Sequence, residues 1–155
     1  MFKHIVVPVD GSDTALLAVD KAAALAKAFG SELTLVSVVD NYPFTGLGGD
    51  YVFGQAEYLN AAKANANAAL ERAQAALAAQ GAKASGSVVE DHVIHDGILS
   101  TVEAVGADLI VMGSHGRHGL EKLLLGSVTL RVLGRAKVPV LVVRTHGDKS
   151  EKNQT

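Results

Sequence analysis

Five short apolar runs punctuate this chain, separated by longer segments with helical spacing. The first, Ile5-Val6-Val7, lies within Lys3 to Val9 and contains no polar residue, as expected of a strand buried on both faces. Pro8 has no N–H for a central ladder, so it belongs at that strand's C-terminal end. Ser12 and Asp13 are N-cap residues for a helix over Thr14 to Phe29, with Gly30 as its stop. Leu16, Leu17, Ala24, Leu25 and Ala28 form the expected buried stripe of that helix. Glu32 to Val39 (ELTLVSVV) reads as the second strand. Asn41 to Gly54, rich in glycine and aromatics, reads as a long loop able to cover a site.

An alanine-rich helix follows from Gln55 to Gln80 and stops at Gly81. Its stripe of Ala61, Ala62, Ala64, Ala66, Ala68 and Ala69 reads as a packing surface. Lys83 to Glu90 is a third strand, poorer in apolar residues and therefore an edge. A helix starting near Asp96 runs through Ile98, Leu99, Val102 and Val105 to Gly106. Asp108 to Met112, Ser127 to Arg135 and Val138 to Val143 complete the pattern as strand, helix and strand. Alternation of this kind predicts one α/β domain over residues 1–145, with a polar tail over 146–155. Its five-stranded parallel sheet, of order 3-2-1-4-5, carries helices on both faces in a Rossmann-like arrangement. Ligands bind such sheets beyond the carboxyl ends of the strands, where strand order reverses. There Val9-Asp10-Gly11 would meet Met112-Gly113.

Composition removes several function classes. The 155 residues carry a formal net charge of −2, which gives no electrostatic case for nucleic acid. No run of 18 apolar residues predicts a membrane span, and the opening MFKHIVVPVDGSD reads as a strand and turn, not a signal peptide. The absence of cysteine removes disulfides and thiol chemistry and fits a reducing, cytoplasmic setting. His92 and His95 are three apart, as are His115 and His118, but spacing supplies no third ligand for zinc, so no metal site is expected.

The chemistry concentrates in ADLIVMGSHGRHGLEKLLLGSV, residues 107–128. A strand ends at Gly113-Ser114-His115-Gly116, and Gly126-Ser127 opens a helix nine residues later. Glycine lets backbone approach a ligand closely, and the unpaired N–H groups of a helix N-terminus suit phosphate. Asp10, at the end of the first strand, can bind ribose, bind a metal or cap a helix. Ser127 can cap its helix or bind phosphate. Arg117 reads as a solvated loop cation.

These residues resemble the universal stress protein family in its nucleotide-binding branch. The likeness extends over nearly the whole chain. It rests on Ile5-Val6-Val7-Pro8-Val9-Asp10-Gly11-Ser12, on the block from Ala107 to Gly116, on Leu123-Leu124-Leu125-Gly126-Ser127-Val128, and on Val138-Pro139-Val140-Leu141-Val142-Val143. The family's signature is Gly, two residues, Gly, nine residues, Gly, then Ser or Thr. Gly113, Gly116, Gly126 and Ser127 fill it. The resemblance implies ATP, with or without Mg²⁺, or AMP or another adenine nucleotide. It implies adenine near Pro8, Val9, Val38 and Met112, and ribose near Asp10. Gly113, His115 and Gly116 would line ribose and phosphates, and Gly126, Ser127 and Val128 would hold the phosphates. It also implies a homodimer formed through Val138 to Val143. One departure is Val93-Ile94-His95-Asp96-Gly97, where many members carry a Gly-x-Pro turn.

The leading expectation is therefore a dimeric, ATP-binding stress-response regulator and not an enzyme. A slow ATPase or phosphotransferase is the first alternative, although no P-loop GxxxxGK[ST] and no evident general base appear. A nucleotide-free interaction protein of the same fold is the second.

Overall fold

A computed structural model describes residues 1–41, 52–115 and 125–145. Its elements run β1 (His4–Pro8), α1 (Asp13–Phe29), β2 (Glu32–Val39), α2 (Val52–Ala79), β3 (Ser85–Glu90), α3 (Ile94–Val105), β4 (Leu109–Gly113), α4 (Ser127–Arg135) and β5 (Val140–Val143). All pairings are parallel and the sheet order is β3-β2-β1-β4-β5. The alternation of strand and helical periods therefore yields the sheet the sequence predicts. Pro8 ends β1 opposite Val36, and the next residue, Val9, resumes pairing by donating its N–H to the Val36 carbonyl at 2.8 Å.

Two cores cover the two faces, as the period-2 alternation of a strand requires. Ile5, Val7, Leu33 and Leu35 face α1 and α2 and pack with Val19, Ala73 and Leu77. Val6, Val36 and Ile110 face the other way and pack with Ile98, Val102 and Val132 of α3 and α4.

Several expectations need correction. The buried stripe of α1 is Ala15, Ala18, Val19, Ala22, Ala23 and Ala26, not Leu16, Leu17, Ala24, Leu25 and Ala28. Leu17 is 39% exposed, and Leu16 and Leu25 are only half-buried. A helix laid over a sheet comes closer when its contact face is small, so alanine takes the contact and leucine the flanks. Of the alanine stripe on α2, Ala66 and Ala69 are buried with Leu70, Ala73 and Leu77, whereas Ala61, Ala64 and Ala68 face solvent. That helix begins at Val52, inside the segment expected to be loop. Residues 42–51 of that loop and the tail 146–155 lie outside the described residues.

The third helix begins at Ile94, two residues before Asp96. Its N-cap is Val93, which has no capping side chain, and the Asp91 carboxylate accepts the Val93 N–H at 3.0 Å. Asp96 instead lies in the first turn, 3.5 Å from Arg135 Nη1 of α4. The last strand is shorter than expected and starts at Val140.

Candidate functional site

Between the carboxyl ends of β1, β2 and β4 lies a cleft of about 380 Å³. It sits at the β1–β4 junction, where the direction of strand order reverses, the position a doubly wound sheet offers a ligand. Its volume falls in the range of small-molecule sites.

The cleft has an aliphatic floor and a polar rim. Pro8 and Val9 come from the end of β1, Val36 and Val38 from β2, and Met112 from β4. Asp10 stands at the rim, where its carboxylate accepts the Ser12 N–H at 2.9 Å and closes a turn around Gly11. Gly11 has φ +84°, a backbone state that strongly favours glycine. Ser12 then caps α1, its hydroxyl accepting the Ala15 N–H at 3.2 Å. Arg72 of α2 holds the same turn from outside by donating to the Gly11 carbonyl at 3.1 Å.

Opposite stands the N-terminus of α4, tied to the end of β4 by several bonds. Gly126 donates its N–H to the Ser114 carbonyl at 2.7 Å, and the Thr129 hydroxyl donates to the Gly113 carbonyl at 3.0 Å. Ser114 is in turn held by β5, donating its N–H to the Val143 carbonyl at 2.9 Å. These bonds correct one detail of the phosphate expectation, because the Gly126 N–H is already committed. The donors left by the first turn of α4 are those of Ser127, Val128 and Thr129. Gly126 is the N-cap and supplies no side-chain acceptor for them. Ser127 therefore does not cap this helix; it is the first helical residue, exposed on the cleft wall.

His115 completes this side. Its Nδ1 shares a hydrogen bond of 2.9 Å with the Ser114 hydroxyl, and Ser114 is 1% exposed, which anchors the ring. Its Nε2 is buried and has no hydrogen-bond partner among the described residues. Buried polar atoms are almost always paired, so an orphan beside a cleft marks the place of an absent partner.

Ten of the expected site residues thus border one cavity: Pro8, Val9, Asp10, Val38, Met112 and Gly113, with His115, Gly126, Ser127 and Val128 across from them. Gly116 lies outside the described residues, as do Arg117 and His118. Gly113 has a structural duty besides. A Cβ there would stand 2.7 Å from Thr14 Cγ2 and 3.0 Å from the Thr14 carbonyl carbon, so glycine is needed for β4 to meet α1. Gly113→Ala would strain the fold as well as the cleft.

Sequence reasoning missed Ala15, Val36, Ile94, Ile98 and Thr129. Ile94 and Ile98 come from α3, whose apolar positions serve both core and cleft. The available signal was Gly97, an unfavourable residue inside a helix. A Cβ on Gly97 would lie 2.7 Å from Val38 Cγ1, so its absence lets α3 close on β2 beside the cleft. Among the described residues no group of three or more His, Asp or Glu side chains could hold a metal ion. No described helix is long and apolar enough to cross a membrane.

The sequence profile of the Universal stress protein family matches residues 1–144. Universal stress protein MJ0531 of Methanocaldococcus jannaschii is 39% identical over 145 residues, covering 93% of this chain and 83% of its own length. The solved structure of MJ0577, from the same organism, superposes with a TM-score of 0.81 at 31% identity, covering 95% of this chain and 99% of that one. A universal stress protein solved in complex with cAMP superposes with a TM-score of 0.68 at 29% identity, covering 94% of this chain and 99% of that one.

Proposed function

The chain belongs to the universal stress protein family, and from that premise we propose that it binds an adenine nucleotide, ATP foremost, in the cleft between β1 and β4. One observation carries the reading. The rim joins a helix N-terminus without a side-chain cap to a buried His115 Nε2 that lacks a partner among the described residues. Amide donors at the positive end of a helix dipole suit an anion, and an orphaned ring nitrogen gains a partner when a polar ligand enters. The aliphatic floor of Pro8, Val9, Val36, Val38 and Met112 suits the faces of a purine. The Asp10 carboxylate suits ribose hydroxyls. Magnesium, where it takes part, would come with the phosphates, as is usual for that ion. AMP and other adenine nucleotides share the same chemistry. The cAMP complex of a family member is consistent with this ligand class.

The role that follows is regulatory and cytoplasmic, a response to nucleotide level and not turnover of it. Binding stabilises the folded form and biases what a homodimer, paired through β5, presents to a partner. The test is calorimetric titration of ATP into the wild type and into Ser127→Asp. A carboxylate in the first turn of α4 favours the helix by about 0.3–1 kcal/mol but repels phosphate. The variant should fold at least as well as the wild type while its ATP affinity falls about tenfold or more. Equal affinity in a folded variant would reject the phosphate seat.

A further inference from the structure

The side chain of Thr129 reaches further than its place in α4 requires. A threonine in the first turn of a helix can bond within that turn, to an amide or a carbonyl a few residues away. This hydroxyl leaves the helix instead. It donates to the Gly113 carbonyl at 3.0 Å and, at 3.4 Å, to that of Ser114, 16 and 15 residues earlier in the chain. A hydroxyl has one proton to give, so the nearer carbonyl is its principal partner. Thr129 is 3% exposed, and a β-branched side chain has few rotamers, so the donor is held in place.

Both carbonyls belong to residues that shape the cleft. Gly113 borders it and abuts Thr14 of α1. Ser114 accepts the Gly126 N–H at 2.7 Å, the backbone half of the same joint. The first-turn amides of α4 therefore ride on a helix end that meets β4 through one backbone tie and one hydroxyl tie. We infer that Thr129 is a positioning residue for the phosphate seat. Through its hydroxyl it fixes the spacing and tilt between the end of β4 and the amides of Ser127, Val128 and Thr129. This inference rests on the nucleotide reading above. Bonds from an amide to an anion weaken steeply off line, so a helix end that shifts loses affinity without losing a donor.

Hydroxyl and bulk can be separated at this position. Thr129→Val keeps the volume and the backbone N–H but removes the hydroxyl, whereas Thr129→Ser keeps the hydroxyl and removes the methyl. ATP is titrated calorimetrically into the full chain and each variant, with thermal melts to establish that folded protein is being measured. The Val variant should bind ATP about tenfold more weakly than the wild type, the worth of about one charge-assisted hydrogen bond. The Ser variant should stay within about twofold of the wild type. Thr129→Ala, which deletes the hydroxyl without filling the site, should behave as the Val variant does. Adenosine, which carries no phosphate, should compete equally well in all four proteins. A threonine that serves packing alone gives the reverse order, with Val tolerated and Ser impaired. If the wild type binds ATP and the Val variant binds it equally well, the inference fails and the nucleotide reading stands. A Ser variant as weak as the Val variant, or an adenosine affinity that falls in step with that of ATP, likewise overturns it. If the wild type binds no ATP, both readings fall together.

Discussion

Single residues set the shape of the cleft through what they lack. Gly97 has no Cβ, and a methyl there would press on both methyls of Val38, at 2.7 and 3.0 Å. Val38 is β-branched and has few rotamers to retreat into, so the push would be passed to the cleft it borders. Alanine otherwise improves a helix interior by about 1 kcal/mol over glycine, which separates packing from propensity. Gly97→Ala should lower ATP affinity about tenfold, an effect typical of one misplaced methyl in an apolar pocket. Adding Val38→Ala to that variant should recover most of the loss. Titration of the single and double variants measures this, and additive losses would show that the two residues do not act on each other.

Elements obey packing before propensity, which explains where sequence reading succeeded and where it slipped. The strand periods were legible because each apolar run contains both faces of a buried strand, so an error of one residue changes little. The extent of β2 and α4 was readable from their flanking residues. The face of α1 was not, since Leu16, Leu17 and Leu25 carry the larger hydrophobicity while the alanines win the contact through size. Ala18 is fully buried beneath that helix and Leu17 is 39% exposed. Ala18→Leu should therefore cost about 1–3 kcal/mol by overpacking. Leu17→Ala should change stability by no more than about 0.5 kcal/mol, and urea unfolding of the two variants distinguishes the faces. In the candidate site, the glycine spacing exposed the strand and helix ends, whereas Ile94 and Ile98 read only as core.

The same scale contains a pH effect. Asp108, just before β4, accepts the Lys3 N–H at 3.1 and 3.0 Å and the His4 N–H at 3.0 Å, tying the start of β1 to that of β4. These backbone bonds, that from Lys3 foremost, hold its carboxyl below the usual carboxylate range. A lowered folded pKa means the unfolded chain takes up the proton first. The stabilisation is thus complete above about pH 4 and is lost as pH falls through the folded value. Asp108→Asn should be less stable than the wild type at neutral pH and show a flatter acid limb. Thermal melts from neutral pH down to acid would check this, and parallel curves would contradict it.

At the scale of the whole molecule, the two edges of the sheet are chemically unequal. The β3 edge presents Ser85, Gly86 and Ser87 to solvent, whereas β5 is Val-Leu-Val-Val with Leu141 41% exposed. Polar, glycine-bearing edges discourage pairing, and an apolar edge invites a copy of itself across a two-fold axis. The chain should therefore sediment at twice its 16.0 kDa mass, and Leu141→Lys should shift it toward monomer at micromolar concentration. That edge is also wired to the cleft, because the Val143 carbonyl receives the Ser114 N–H while the Ser114 carbonyl receives the N–H of Gly126, the cap of α4. Where ATP binding and pairing through β5 both act on this chain of bonds, linkage requires each to change the affinity of the other by the same factor. Sedimentation with and without saturating ATP measures one side of that equality, and ATP titration of the wild type against Leu141→Lys measures the other. A dimer whose association constant ignores ATP would mean that the edge and the cleft are independent, however short the path between them.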